Sequence, residues 1–295
     1  MKVPALFVSH GAPLFALEPG QAGPLLHAVG QRLRALPGLR AVLVISPHWR
    51  TRGLCIGASA QPATVHDFGG FPRELYALRY DAPGSPELAA RVKALVEAAA
   101  IPGAGYVAED EDRPLDHGAW MPLRHFFPDA DVPVVQLAFN PYLSPATQVE
   151  LGRALAPLRA EGVLVIGSGS FTHNLQEVFG GSARKAQHGP ETEPYVDAFR
   201  GWMAEALNDA LATGDVSRIA DYRTQAPFAR RAHPTDEHLL PFYVTLGAAI
   251  GPHATAATDA SVARVADEVT YGVLAMDTFV FDGIGAGHAP LPKAA

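Results

Sequence analysis

Twelve histidines and a single cysteine are the chain's stock of soft metal ligands and ready proton carriers. With Cys55 alone, neither an internal disulfide nor a cysteine-based zinc site can form, and Cys55 reads as a small core residue. Three histidines fall in similar places. His10 follows the apolar run "ALFVS" in "SHGAP", His48 follows "AVLVIS" in "SPHW", and His173 follows "VLVIGSGSF" in "THNL". Each lies at or just past the carboxyl end of a strand-like segment, where open α/β sheets build their ligand sites. Imidazoles gathered there would bind a divalent metal or move protons near neutral pH. Two more sit in "RAHPTDEHLLP", Arg231–Pro241. Pro234 suits the first position of a helix, with Asp236 and Glu237 in its first turn. His233 then lies at the cap, and His238 inside the helix with Glu237 on another face. Five residues apart, the two are about 140° apart around a helix, poor geometry for gripping one ion. At most one binds, and the more rigidly held His238 is favoured. The run "GSGS" at Gly167–Ser170 matches neither phosphate-binding glycine pattern, and reads as a turn that lets the backbone approach a ligand.

These residues need a scaffold. Ala5–Ser9, Ala41–Ser46, Val132–Phe139, Val163–Ile166 and Val269–Phe281 read as strands. The first four are continuous apolar runs, as in strands covered on both faces. Ala22–Leu36, Pro86–Ala100, Pro145–Glu161 and Pro194–Ala212 repeat apolar residues at helical spacing. The alternation predicts a single α/β domain over residues 1–282, with a central mostly parallel or mixed sheet and helices on both faces. Residues 283–295 read as a flexible tail. Gln61–Phe71, Asp110–Trp120 and Phe179–Pro190 read as long loops, the last of them mobile, and loops this long in a compact domain tend to be functional.

Hydrophobic residues form 48% of the chain, which supports a full core. The net charge of −7 and the lack of a basic stripe argue against nucleic acid. No apolar run reaches the ~18 residues of a membrane span, and the N-terminus lacks the pattern of a signal peptide. The expected location is the cytoplasm, and a homodimer is the default assembly.

The segments "PALFVSHGAP", "VISPHW", "HDFGGFP", "DHGAWMPL", "FPDADVPVVQL", "GSGSFTHNL" and "PTDEHLLPFYVTLGAA" occur in this order from Pro4 to about Val280. Together they resemble the LigB superfamily of class III extradiol ring-cleavage dioxygenases, most closely its DOPA-dioxygenase-like branch. The resemblance implies that His10, His48 and His238 bind the metal. It implies that His173 works as acid and base, that His117 lines the substrate pocket and acts in catalysis, and that His66 belongs to the pocket wall. It implies Fe(II) for activity, with Zn(2+) as the ion the isolated protein could carry. The substrates implied are O2 and a small catechol, DOPA-like or otherwise, opened to a muconic semialdehyde. His238 stands where the protocatechuate-type branch has a glutamate ligand. Arg50, Arg79 and Arg124 are the candidates to meet a substrate carboxylate. Trp49 and Trp120 flank the expected pocket, as ring-stacking or core residues. His27 and His125 read as surface or packing residues, and His188, His253 and His288 as solvated. Two other readings stay open. One is a metal hydrolase on a similar scaffold, disfavoured because no carboxylate is obviously placed as its base. The other is a metal-binding protein without enzymatic activity, like the Memo branch of the superfamily.

Overall fold

In the computed structural model, residues 2–180, 186–251 and 260–282 are described. The expected tail 283–295, His253 and His288 lie outside them. Among the described residues there are ten strands: β1 Ala5–Ser9, β2 Ala41–Arg50, β3 Leu54–Gly57, β4 Val107–Asp110, β5 Val134–Phe139, β6 Val163–Gly169, β7 Val262–Ala266, β8 Val269–Thr270, β9 Leu274–Ala275 and β10 Thr278–Phe281. Eight of them form one sheet in the order β4-β3-β5-β2-β6-β1-β10-β7. Strands β5, β2, β6 and β1 are parallel neighbours, while β10 and β7 run antiparallel at one edge and β3 runs antiparallel to β5 near the other.

The continuous apolar runs are explained by two cores. Phe7, Leu43, Ile45 and Val165 point into one, while Leu6, Val8, Val42, Val44, Leu164 and Ile166 point into the other. Successive residues of a strand face opposite sides, so a strand covered twice must be apolar at every position. Helices Pro86–Ala98, Pro145–Leu155, Pro194–Thr213 and Leu240–Ile250 cover the first side; Ala22–Arg34 and His117–Phe126 cover the second. The expected single α/β domain with a mixed sheet between helices is what the chain forms.

Several boundaries differ from the sequence reading. The long run Val269–Phe281 breaks into three short strands, because Tyr271 and Gly272 adopt left-handed φ of 56° and 71° and reverse the chain. The stretch Pro145–Glu161 splits into Pro145–Leu155 and Pro157–Ala160. Pro157 has no N–H to donate and opens the second piece. Strands β3, β4 and β7 are only four or five residues long, too short for their pattern to stand out. The helix expected from Pro234 begins only at Leu240, with Pro241 in its first turn. His238 therefore lies in the turn ahead of the helix, closed by Leu239 and Leu240 N–H groups donating to the Asp236 carbonyl at 2.9 and 3.1 Å.

Candidate metal centre

Strands β2, β6 and β1 are neighbours, so whatever follows their carboxyl ends is brought together. His10 is the first residue past β1, and its N–H donates to the Gly169 carbonyl at the end of β6 (2.9 Å). His48 lies within β2, beyond Pro47. His173 follows β6 by four residues and is held by its N–H to the Ala232 carbonyl (2.8 Å). Chain crossing closes the fourth side: the Ser170 N–H donates to the His238 carbonyl at 2.9 Å. A methyl group on Gly169 would lie 2.1 Å from that carbonyl oxygen, and one on Gly167 would lie 2.2 Å from the Pro241 carbonyl oxygen. "GSGS" is thus not a ligand-approach turn. Its glycines are strand residues that let the His238 turn and the next helix pack directly on the sheet.

One ligand atom from each of His10, His48 and His238 lies within 4.8 Å of the others. His10 Nε2 and His48 Nε2 are 3.1 Å apart, close to the ~3.0–3.4 Å between two nitrogens each about 2.1 Å from one ion. The hydrogen-bond network sets the tautomers. Ser168 Oγ donates to the Gly118 carbonyl, so it accepts from His10 Nδ1–H (2.9 Å) and leaves the Nε2 lone pair of His10 free. His238 Nδ1 faces Glu237 Oε1 at 3.2 Å, and His48 Nδ1 has Asp67 Oδ2 at 3.9 Å. Ligand rings held at Nδ1 by oxygen are the usual outer support of a metal site. Burial, followed by the neighbouring histidines, holds His10 and His238 well below the ordinary histidine range. Burial, then His117, brings His48 down to about 3. All three are therefore neutral at pH 7, which is the form that ligates. Three neutral imidazoles fit zinc or ferrous iron.

Two further histidines stand beside the three. The His173 ring stacks on His238, with centroids 3.5 Å apart and planes 12° apart, and burial lowers its pKa to about 4. His117 is not in a loop, as Asp110–Trp120 was expected to be. It is the first residue of helix His117–Phe126, behind the N-cap Asp116, whose Oδ1 accepts from the Ala119 N–H at 3.2 Å. Its ring centroid is 3.9 Å from that of His48. Asp67 Oδ1 lies 2.9 Å from both the His117 N–H and its Nδ1.

The site opens into a cavity of about 590 Å³ lined by His10, His48, His117, His173 and His238, with Pro13, Phe68, Phe71, Leu175, Phe179 and Leu274 forming most of the apolar wall. His66 is not on that lining. Its Nε2 bonds the Leu78 carbonyl at 3.0 Å and its ring packs near Phe68, Tyr76 and Trp120, so it supports the wall from behind. Trp49 and Trp120 are buried and lie off the lining, as do Arg50, Arg79 and Arg124; Arg124 donates instead to the Arg79 carbonyl. His233 is fully buried away from the cavity, with Nε2 3.0 Å from the Phe171 carbonyl. Exposed His188 is paired with Glu268 at 2.9 Å rather than simply solvated.

Two carboxylates correct the sequence reading. Glu237 does not turn away, and Asp67 stands among the histidines; each comes within 4.8 Å of two of their nitrogens. Asp67 neighbours His66 in "VHDFGG", and the two side chains go different ways, His66 to the Leu78 carbonyl and Asp67 to His117.

The family described as the catalytic LigB subunit of aromatic ring-opening dioxygenase matches residues 4–273. A 4,5-DOPA dioxygenase extradiol of Beta vulgaris is 39% identical over 245 residues, covering 82% of this chain and 85% of that protein. One of Escherichia coli K12 is 37% identical over 248 residues, covering 84% and 85%. The crystal structure of the uncharacterized protein JW3007 from Escherichia coli K12 superposes with a TM-score of 0.72 at 29% identity, covering 95% of this chain and 99% of that one.

Proposed function

This chain belongs to the LigB family of aromatic ring-opening dioxygenases, and on that premise we propose that it opens a small catechol with O2 to a muconic semialdehyde, using ferrous iron held by His10, His48 and His238. The observation that carries this is the convergence of three neutral imidazoles with two more at the floor of one apolar-walled cavity. Ferrous iron bound there supplies the electrons and Lewis acidity that O2 chemistry on a catechol requires.

The protein's own groups do the rest. His173 is neutral at pH 7, beside the ligand His238, and takes the proton from a catechol hydroxyl. It returns that proton when the O–O bond breaks. His117 hydrogen-bonds a substrate oxygen, its ring held by Asp67. Phe68, Phe71, Leu175 and Phe179 enclose the aromatic ring and keep water from the reacting atoms. The overall reaction adds both oxygen atoms of O2 to the ring carbons whose bond is cleaved. Zn(2+) would fill the same donor set without supporting turnover, since it has no redox chemistry. The bonds that Asp67 and Glu237 make to imidazole nitrogens favour support of the histidines over the base role that a hydrolase needs.

The test is oxygen uptake. The protein is loaded with Fe(II) without air, its iron content measured, and catechol or L-DOPA added with O2. One O2 consumed per catechol, with a yellow product, is expected. An iron-loaded protein that consumes no O2 with any catechol offered overturns the reading.

A further inference from the structure

One carboxylate beside the cavity-lining residues His117 and Phe68 takes no part in the proton movements assigned to the histidines. Asp67 sits on a loop whose backbone is held just ahead of it, at Val65. The Val65 N–H donates to the Leu115 carbonyl (3.0 Å), and Trp120 Nε1–H donates to the Val65 carbonyl (2.9 Å). Just behind, His66 Nε2 meets the Leu78 carbonyl (3.0 Å). The side chain is thereby aimed at the start of helix His117–Phe126. Its Oδ1 accepts the His117 backbone N–H and lies 2.9 Å from His117 Nδ1, while Oδ2 lies 3.9 Å from His48 Nδ1.

A carboxylate only accepts hydrogen bonds, so a contact at 2.9 Å requires the proton to be on Nδ1 of His117. A neutral imidazole with its proton there has a lone pair on Nε2. We infer that Asp67 is a positioning residue that fixes His117 as the Nδ1–H tautomer, so that His117 accepts, rather than donates, a hydrogen bond from the substrate oxygen. The backbone N–H bond from the same residue holds the carboxylate in place even if the ring swings. Because Oδ2 also faces His48, one side chain sets the spacing between a metal-binding ring and a substrate-binding ring. The inference rests on the cavity taking a catechol only for its consequence, not for the tautomer itself.

Two arms test it separately. In the first, the full chain is loaded with zinc, labelled with 15N histidine, and its ring nitrogens are read by long-range proton–nitrogen correlation; His117→Gln identifies the His117 signals by their loss. The Nδ1–H form is expected for His117, and an Nε2–H form in the wild-type protein overturns the inference without any change at Asp67. In the second, the iron-loaded Asp67→Ala variant is expected to lose about 10- to 100-fold in kcat with KM and metal content near those of the wild type. Asp67→Asn keeps an acceptor oxygen and is expected to regain most of that rate. An unchanged kcat in Asp67→Ala, or equal losses in the two variants, overturns the inference. If the wild-type protein shows no oxygen uptake at all, the reaction assignment fails while the nitrogen spectra still decide the tautomer.

Discussion

At the scale of single residues, the five clustered histidines divide by what each would cost to remove. A ligand holds the ion directly, so His10→Ala, His48→Ala and His238→Ala are expected to purify with little or no metal after dialysis against a trace of Fe(II) or Zn(2+). His173→Ala and His117→Ala are expected to keep about one ion per chain and to lose about 10²- to 10⁴-fold in kcat, the range for a lost acid–base group. Metal analysis alongside turnover separates the two sets, and metal loss in His173→Ala would move that residue among the ligands. His10, His48 and His173 are legible in the sequence because an apolar run, a turn residue and a histidine share one short segment. The supporting oxygens are not. Ser168 and Asp67 acquire meaning only from rings that lie far along the chain, His10 for Ser168 and His117 for Asp67. Glu237 next to His238 shows the limit most plainly, since helix periodicity turns it away while the turn actually formed brings it back.

At the scale of elements, the helices with ordinary apolar spacing and the central strands follow from local pattern, and their ends do not. The helix Leu240–Ile250 is buried along almost its whole length. Such a helix has no polar face to mark where it begins, so Pro234 and the acids after it gave a false start. What places His238 is instead the contact between its carbonyl and the bare Cα of Gly169. Gly169→Ala is therefore expected to destabilise the chain by about 1–3 kcal/mol, as overpacking does, and to weaken metal binding by shifting the His238 turn. Denaturant melts and a metal titration measure the two effects. Gly201→Ala is the control: nothing lies within 4 Å of the added methyl on the helix Pro194–Thr213, so a gain of up to about 1 kcal/mol is expected from helix propensity alone. Equal responses at the two glycines would remove the packing argument.

At the scale of the whole molecule, the sheet collects histidines at one end and then buries them, and this makes acid the weak direction for the fold. His233 shows it apart from the five clustered histidines. Burial, set against a weaker opposing bond to the Phe171 carbonyl, brings its pKa from 6.5 down to about 3. Burial likewise brings His125 to about 4. Between those values and 6.5 the unfolded chain binds protons that the folded chain refuses. Stability is therefore complete above pH 6.5 and declines as the pH falls towards 3 to 4. In the metal-free protein the unfolding temperature is expected to hold from about pH 8 to 6.5 and then to drop steadily down to about pH 4.5. Added metal should raise it most at the upper end, because only neutral imidazoles bind the ion. His233→Gln can still donate to the Phe171 carbonyl but cannot titrate, so its decline below pH 6.5 should be shallower than that of the wild type. Parallel declines in the two proteins, measured by thermal melts in a chelator, would mean that the burial of His233 does not set the acid limit of this fold.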